Sequence, residues 1–145
     1  MKIILIFFVL GLTFSYDRIG AVNYALKYCD KGNPELFYYV DEIEKVNFVS
    51  QCIKIGGGQD FEGCGRLTPD GMFYYLKDLE SCLIKKGWKK TTIAQKGNLM
   101  ISRPTGLCMI VTEDIVIDGT VTFCSHAPRR CNAKHSNKYV EFYSP

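Results

Sequence analysis

Apolar positions recur with a helical period over the first half of the chain and fall into short runs over the second. Val22, Ala25, Leu26 and Cys29 stand at i, i+3, i+4 and i+7, which predicts a helix over 17–28 that stops before Lys31-Gly32-Asn33-Pro34. Phe48, Val49, Cys52 and Ile53 repeat the pattern and predict a second helix over 46–55. It ends at Gly56-Gly57-Gly58, where glycine accepts the left-handed conformation that terminates helices. Leu76, Leu79 and Leu83 share one face of a third predicted helix over 72–86, between Pro69-Asp70 and Gly87. From Leu99 onward, β-branched and aromatic residues gather in the runs 99–102, 107–112, 115–117, 120–123 and 139–143, which read as strands. Asp118-Gly119 between two of these runs marks a hairpin turn. Helices followed by antiparallel strands predict an α+β domain, with N-terminal helices packed on one side of a C-terminal antiparallel sheet.

The chain opens on Met1-Lys2, an apolar run over 3–14, and Thr13-Phe14-Ser15. This order predicts a signal peptide over 1–15 and a mature domain over 16–145. The run meets Asp17-Arg18 too early to span a bilayer, which takes about 20 apolar residues. The protein is therefore expected in the extracellular space or the lumen of the secretory pathway, with no membrane attachment after cleavage. No repeat or linker divides the rest, so one domain is expected.

Eighteen Lys and Arg against 15 Asp and Glu leave a formal charge of +3, scattered in short clusters such as Lys85-Lys86 and Lys89-Lys90. That is too little to attract nucleic acid or an anionic membrane surface. Seven Cys in a small secreted chain point to disulfides. The count is odd, and spacing does not decide which residues pair. There is no Cys-x-x-Cys, and His126 and His135 are the only histidines, so neither a metal site nor a cofactor is expected. Gly56-Gly57-Gly58 follows a helix and no Gly-Lys-Ser/Thr comes after it, which excludes a phosphate cradle. Trp88 and the aromatics at 37–39 and 73–75 fit a core better than a stacking platform. Asn-x-Ser/Thr sequons are absent. Oligomeric state has no signature in the sequence.

Asn47-Phe48-Val49-Ser50-Gln51-Cys52, followed by Gly56-Gly57, resembles the signature of the putative amidase domain family, a secreted branch of the papain-like peptidases and amidases. Tyr16-Asp17-Arg18 with Ala21-Val22-Asn23-Tyr24-Ala25 resembles that family's opening helix, and Gly97-Asn98-Leu99 its turn into the sheet. The resemblance implies a papain-like fold and, in active members, a Cys early in helix two that attacks an amide carbonyl. A His on the first long strand would take the thiol proton, and a third polar residue on the next strand would orient it. Aligned with the family's Asp-Cys-x-Asn-Phe-Val-Ser-Gln, this chain reads Glu44-Lys45-Val46-Asn47-Phe48-Val49-Ser50-Gln51, so Lys45 holds the nucleophile position. Cys108, immediately before Met109-Ile110-Val111-Thr112, holds the base position, and His126 the third.

Two of the three positions are thus substituted. A lysine at a helix N-terminus has the wrong sign for the site that stabilises a thiolate, and a thiol is a poor substitute for an imidazole base. Cys52 lies seven residues, about 10.5 Å of helix rise, from Lys45, on the apolar stripe. It reads as core or half of a disulfide, and His135 as an exposed residue. The leading expectation is a catalytically inactive domain that binds a peptide or cell-wall fragment, or acts as a decoy. An active cysteine amidase or peptidase with rearranged residues and a disulfide-stabilised extracellular structural protein are the alternatives. Lys45, Cys108 and His126 are expected to converge at one cleft, because Cys108 and His126 lie nine residues on either side of Ile117, and helix two must pack on the same strands.

Overall fold

A computed structural model describes residues 15–36, 42–114 and 118–145. The apolar run over 3–14, the aromatics at 37–39 and the expected strand over 115–117 lie outside the described residues. The elements are α1 (Arg18–Tyr28), α2 (Glu42–Gln51), a π-helical turn (Cys52–Gly56), α3 (Leu76–Lys85), and strands β1 (Lys89–Thr91), β2 (Leu99–Ser102), β3 (Leu107–Val111), β4 (Thr120–Ser125), β5 (Arg130–Ser136) and β6 (Val140–Ser144). All pairings are antiparallel, in the order β1-β6-β2-β3-β4-β5. The fold is α+β, with helices N-terminal and sheet C-terminal.

Helix α1 starts where its sequence says. The Asp17 side chain accepts a hydrogen bond from the Gly20 N–H and caps the first turn. Helix α2 begins four residues earlier than the apolar pattern alone predicts, and its last turn widens into the π-helical segment before Gly58, whose φ of 71° ends it. The glycines here also allow close packing. A Cβ on Gly56 would lie 2.6 Å from Tyr24 Cβ and 2.7 Å from the Gly20 carbonyl, so α1 rests almost backbone to backbone on the end of α2.

The third helix is shorter than predicted. Met72 and Phe73 are buried but not helical: Gly71, at a φ of 76°, turns the chain, Thr68 N–H donates to the Met72 carbonyl, and Leu67 bridges Phe73. Helix α3 then begins after extended Tyr75. Its Glu80 pairs with Arg103, which also pairs with Glu141 of β6.

Strands β2, β3 and β4 form the centre of the sheet and are buried on both faces. Leu99, Ile101, Cys108, Ile110, Cys124 and Tyr143 pack with Ala25, Phe48, Val49 and Cys52 of the helical layer. Met100, Met109, Val111, Val121, Phe123 and Phe142 form a second cluster on the opposite face, which Ala94 joins. Two edge strands, β1 and β5, escape the hydrophobic reading because Lys89-Lys90-Thr91 and the 130–136 segment are mainly polar and exposed. Asp118 and Gly119 both take positive φ, 53° and 70°, as their turn requires.

Four of the seven cysteines are paired. Cys29–Cys131 ties the end of α1 to β5, and Cys64–Cys82 anchors the loop before α3 to that helix. Cys52, Cys108 and Cys124 are buried thiols. Trp88 is core, edge-on to Tyr16 with ring centroids 4.8 Å apart, and its Nε1–H donates to Gln59.

Candidate functional site

Tyr16, Arg18 and the turn at Gly97-Asn98 form one unit. The Tyr16 hydroxyl donates to the Gly97 carbonyl at 2.7 Å, and the Arg18 guanidinium donates to the Lys96 carbonyl, Asn98 Oδ1 and Ser144 Oγ. These bonds fix the start of α1 to the entry of β2, so that α1 and α2 lie against the sheet in a set orientation.

Helix α2 presents different chemistry on two sides. On one, Lys45 and Val46 line a cavity of about 210 Å³ together with Tyr74, Tyr75, Gly106 and Cys108. Lys45 is half-buried and Cys108 fully buried. Strand alternation decides which residue of β3 looks this way: Cys108 and Ile110 face the helices, whereas Met109 and Val111 face the second cluster. The sequence alignment therefore brings two of its three residues into one cavity.

His126 lines a different one. The β3–β4 register, Ile110 opposite Cys124 and Val111 opposite Phe123, continues toward Cys108 against His126, as expected from Ile117. Strand β4 ends at Ser125, however, and the His126 ring stacks on Phe48 with centroids 3.8 Å apart and planes 8° from parallel. Its Nδ1 lies 3.0 Å from Glu44 Oε1 and its Nε2 lies 2.9 Å from the Tyr28 carbonyl oxygen. Burial lowers its pKa, against the pull of that carbonyl and of Glu44. Arg129 also reaches Glu44 Oε1, and donates to the Asp30 carbonyl.

The cavity of about 170 Å³ beside His126 is lined by Asn33, Glu44, Asn47, Phe48 and Gln51, among others. Glu44, Asn47 and Gln51 are at most 8% exposed. They are a polar stripe at i, i+3 and i+7 on the face of a helix that is otherwise core. All three stand in the segment that resembles the family signature, but the apolar stripe does not mark them as a buried polar face; polar residues at helical spacing inside a buried helix were the available signal.

The remaining candidates have clear places. Cys52 is buried in the core, where desolvation first and Cys124 second push its pKa well up; burial raises that of Cys124 too. Neither setting favours a thiolate. His135 is half-buried rather than exposed, because strand β5 sets it near the Phe123 ring. Among the described residues, no group of three His, Cys, Asp or Glu could hold a metal ion, and no helix is long and apolar enough to cross a membrane.

Residues 15–100, more than half of the chain, match the model of a family described as a putative amidase domain. The chain is also 47% identical over 47 residues to the uncharacterized protein YhbB of Bacillus subtilis (strain 168), a stretch that covers 32% of this chain and 14% of that protein. It thus spans a small part of that relative's length. No solved structure is significantly similar to it.

Proposed function

The chain belongs to the putative amidase domain family, and we propose that within it this protein is a secreted, papain-like binding module or decoy that does not hydrolyse amides. One observation carries the reading: the cavity that joins the family's nucleophile and base positions is lined by Lys45 and Cys108, while His126 lines another. Thiol-dependent amide hydrolysis needs a thiolate with an imidazole in hydrogen-bond reach. Here an ammonium stands in the first turn of α2, at the positive end of the helix. The imidazole is committed to Glu44 and the Tyr28 carbonyl.

The papain-like part of the proposal is supported by the packing of α2, which bears the nucleophile position, on β3, which bears the base position. Two disulfides accord with an oxidising compartment, as does the apolar run that begins the chain. The ligand class that follows from the family is a peptide or cell-wall fragment. Incubation of the secreted protein with peptidoglycan fragments and peptide amides is expected to yield no hydrolysis product. Turnover that disappears on Cys108→Ser or Cys52→Ser would overturn the reading.

A further inference from the structure

The cavity beside His126 has a feature that folding does not explain. Asn47 Nδ2 is buried and makes no hydrogen bond, although buried polar groups are almost always paired. The orientation of the Asn47 amide is fixed from a distance. Glu35 N–H donates to Asn33 Oδ1, so Asn33 must turn its Nδ2 toward Tyr24, to whose hydroxyl it donates at 2.9 Å. The Tyr24 hydroxyl then donates to Gln51 Oε1. Gln51 is left with its Nε2, which donates to Asn47 Oδ1. Each step leaves the next residue one choice, and the last group in the series is a donor with nothing to bond.

A matching acceptor stands one turn away. Glu44, three residues before Asn47 on α2, receives His126 and Arg129 on Oε1. The carboxylate's second oxygen, Oε2, carries lone pairs of its own that can accept a further donor. Both side chains line the same cavity, whose volume of about 170 Å³ suits a group of a few non-hydrogen atoms. The Glu44 charge is matched by Arg129, and although Lys31 also lines the cavity, an anion would bring no N–H for the Glu44 carboxylate to accept.

We propose that this cavity binds a neutral secondary amide, such as a peptide unit or an N-acetyl group, whose carbonyl oxygen accepts from Asn47 Nδ2 and whose N–H donates to Glu44 Oε2. The donor and acceptor belong to residues at helical i, i+3 spacing, with Cβ atoms about 5–6 Å apart, so that a small amide placed between them presents its carbonyl to one and its N–H to the other. Phe48 supplies an apolar wall. The site lies across α2 from the Lys45 and Cys108 cavity, and it does not depend on whether that cavity has lost its chemistry.

The test is titration of the 15N-labelled full protein with N-methylacetamide and, in parallel, sodium acetate, reading the side-chain amide resonances of Asn47 and Gln51. The expected result is a saturable shift of both with N-methylacetamide in the millimolar range, and acetate weaker by about tenfold, the worth of one charge-sensitive hydrogen bond. Asn47→Asp keeps the acceptor for Gln51, removes the donor, and is expected to weaken N-methylacetamide binding about tenfold. If that variant does not fold, Asn47→Ala serves, with the Gln51 resonance as readout. No saturable shift in the wild type, equal or tighter binding of acetate, or unchanged binding by the variant would each overturn the proposal. A protein that hydrolyses amides yet still shows the Asn47 shift would refute the reading of the preceding subsection and leave this one standing.

Discussion

His126 bridges two helices: its Nδ1 lies 3.0 Å from Glu44 Oε1 on α2, and its Nε2 lies 2.9 Å from the carbonyl oxygen of Tyr28 at the end of α1. Both partners are acceptors, and a neutral imidazole has one N–H to give. The ring is nonetheless held below its ordinary pKa, because burial outweighs the carbonyl and the carboxylate, and Arg129 adds its own positive charge on the other side.

Stability is therefore expected to fall on mild acidification. The fold favours neutral His126, so the unfolded chain takes up the proton first as the pH drops. The contribution is complete above the ordinary value of 6.5 and declines below it. Thermal melts between about pH 7.5 and pH 5 should show a falling Tm for the wild type and a shallower fall for His126→Asn. Parallel pH curves for the two proteins would show that His126 is not the titrating group.

The two disulfides should differ in worth. Cys29–Cys131 closes a separation of 102 residues and Cys64–Cys82 one of 18. Loop-closure entropy gives about 4.7 kcal/mol for a 100-residue loop and about 3 kcal/mol for a 15-residue loop. Urea unfolding of the Cys29→Ser/Cys131→Ser protein is expected to show the greater loss. Non-reducing mass spectrometry should find these two bridges and three alkylatable thiols after denaturation.

Gly56 and Gly58 offer a paired test of the seam between α1 and α2. A Cβ at Gly56 meets Tyr24 and the Gly20 backbone, which cannot step aside, whereas a Cβ at Gly58 meets nothing. Gly56→Ala should cost about 3 kcal/mol as overpacking. Gly58→Ala should cost about 1 kcal/mol, for its left-handed backbone. Equal losses in urea unfolding would mean that the seam relaxes.

What the sequence makes legible follows from where the side chains carry the signal. Val22, Ala25 and Cys29 mark α1 because burial and period coincide there, and the runs at 99–102 and 107–112 mark β2 and β3 for the same reason. Strand β5 carries no such mark: Arg130, Asn132 and Lys134 are edge residues, and their strand exists because β4 offers backbone partners. Met72 and Phe73 mislead in the opposite direction, since their apolar character is spent on a turn held by Thr68 rather than on helix. At the site, the alignment puts Lys45 with Cys108, and the two line one cavity. It fails to part them from His126 because periodicity says nothing of how the chain turns after Ser125. The polar stripe of Glu44, Asn47 and Gln51 is visible as spacing, but Tyr24 and Asn33, which orient it, come from another helix and a loop.

The cavity shared by positions 45 and 108 allows the proposed loss of amide chemistry to be tested directly. Replacing Lys45→Cys puts a thiol in the first turn of α2, where the helix N-terminus lowers a cysteine pKa from its usual ~8.5. Adding Cys108→His puts an imidazole on the helix-facing side of β3, in the same cavity, and an imidazolium there lowers the thiol pKa further. The double variant is expected to be alkylated by iodoacetamide at position 45 with a pH midpoint clearly below that of Lys45→Cys alone. The native thiols of the wild type, all buried, should react slowly throughout. Amide hydrolysis need not return with the reactive thiol, since His126 remains bound to Glu44 and Tyr28 and leaves the new imidazole without its orienting partner. Identical midpoints for the single and double variants would mean that residues 45 and 108 do not communicate, and that the assignment of these two positions to the family's nucleophile and base is wrong.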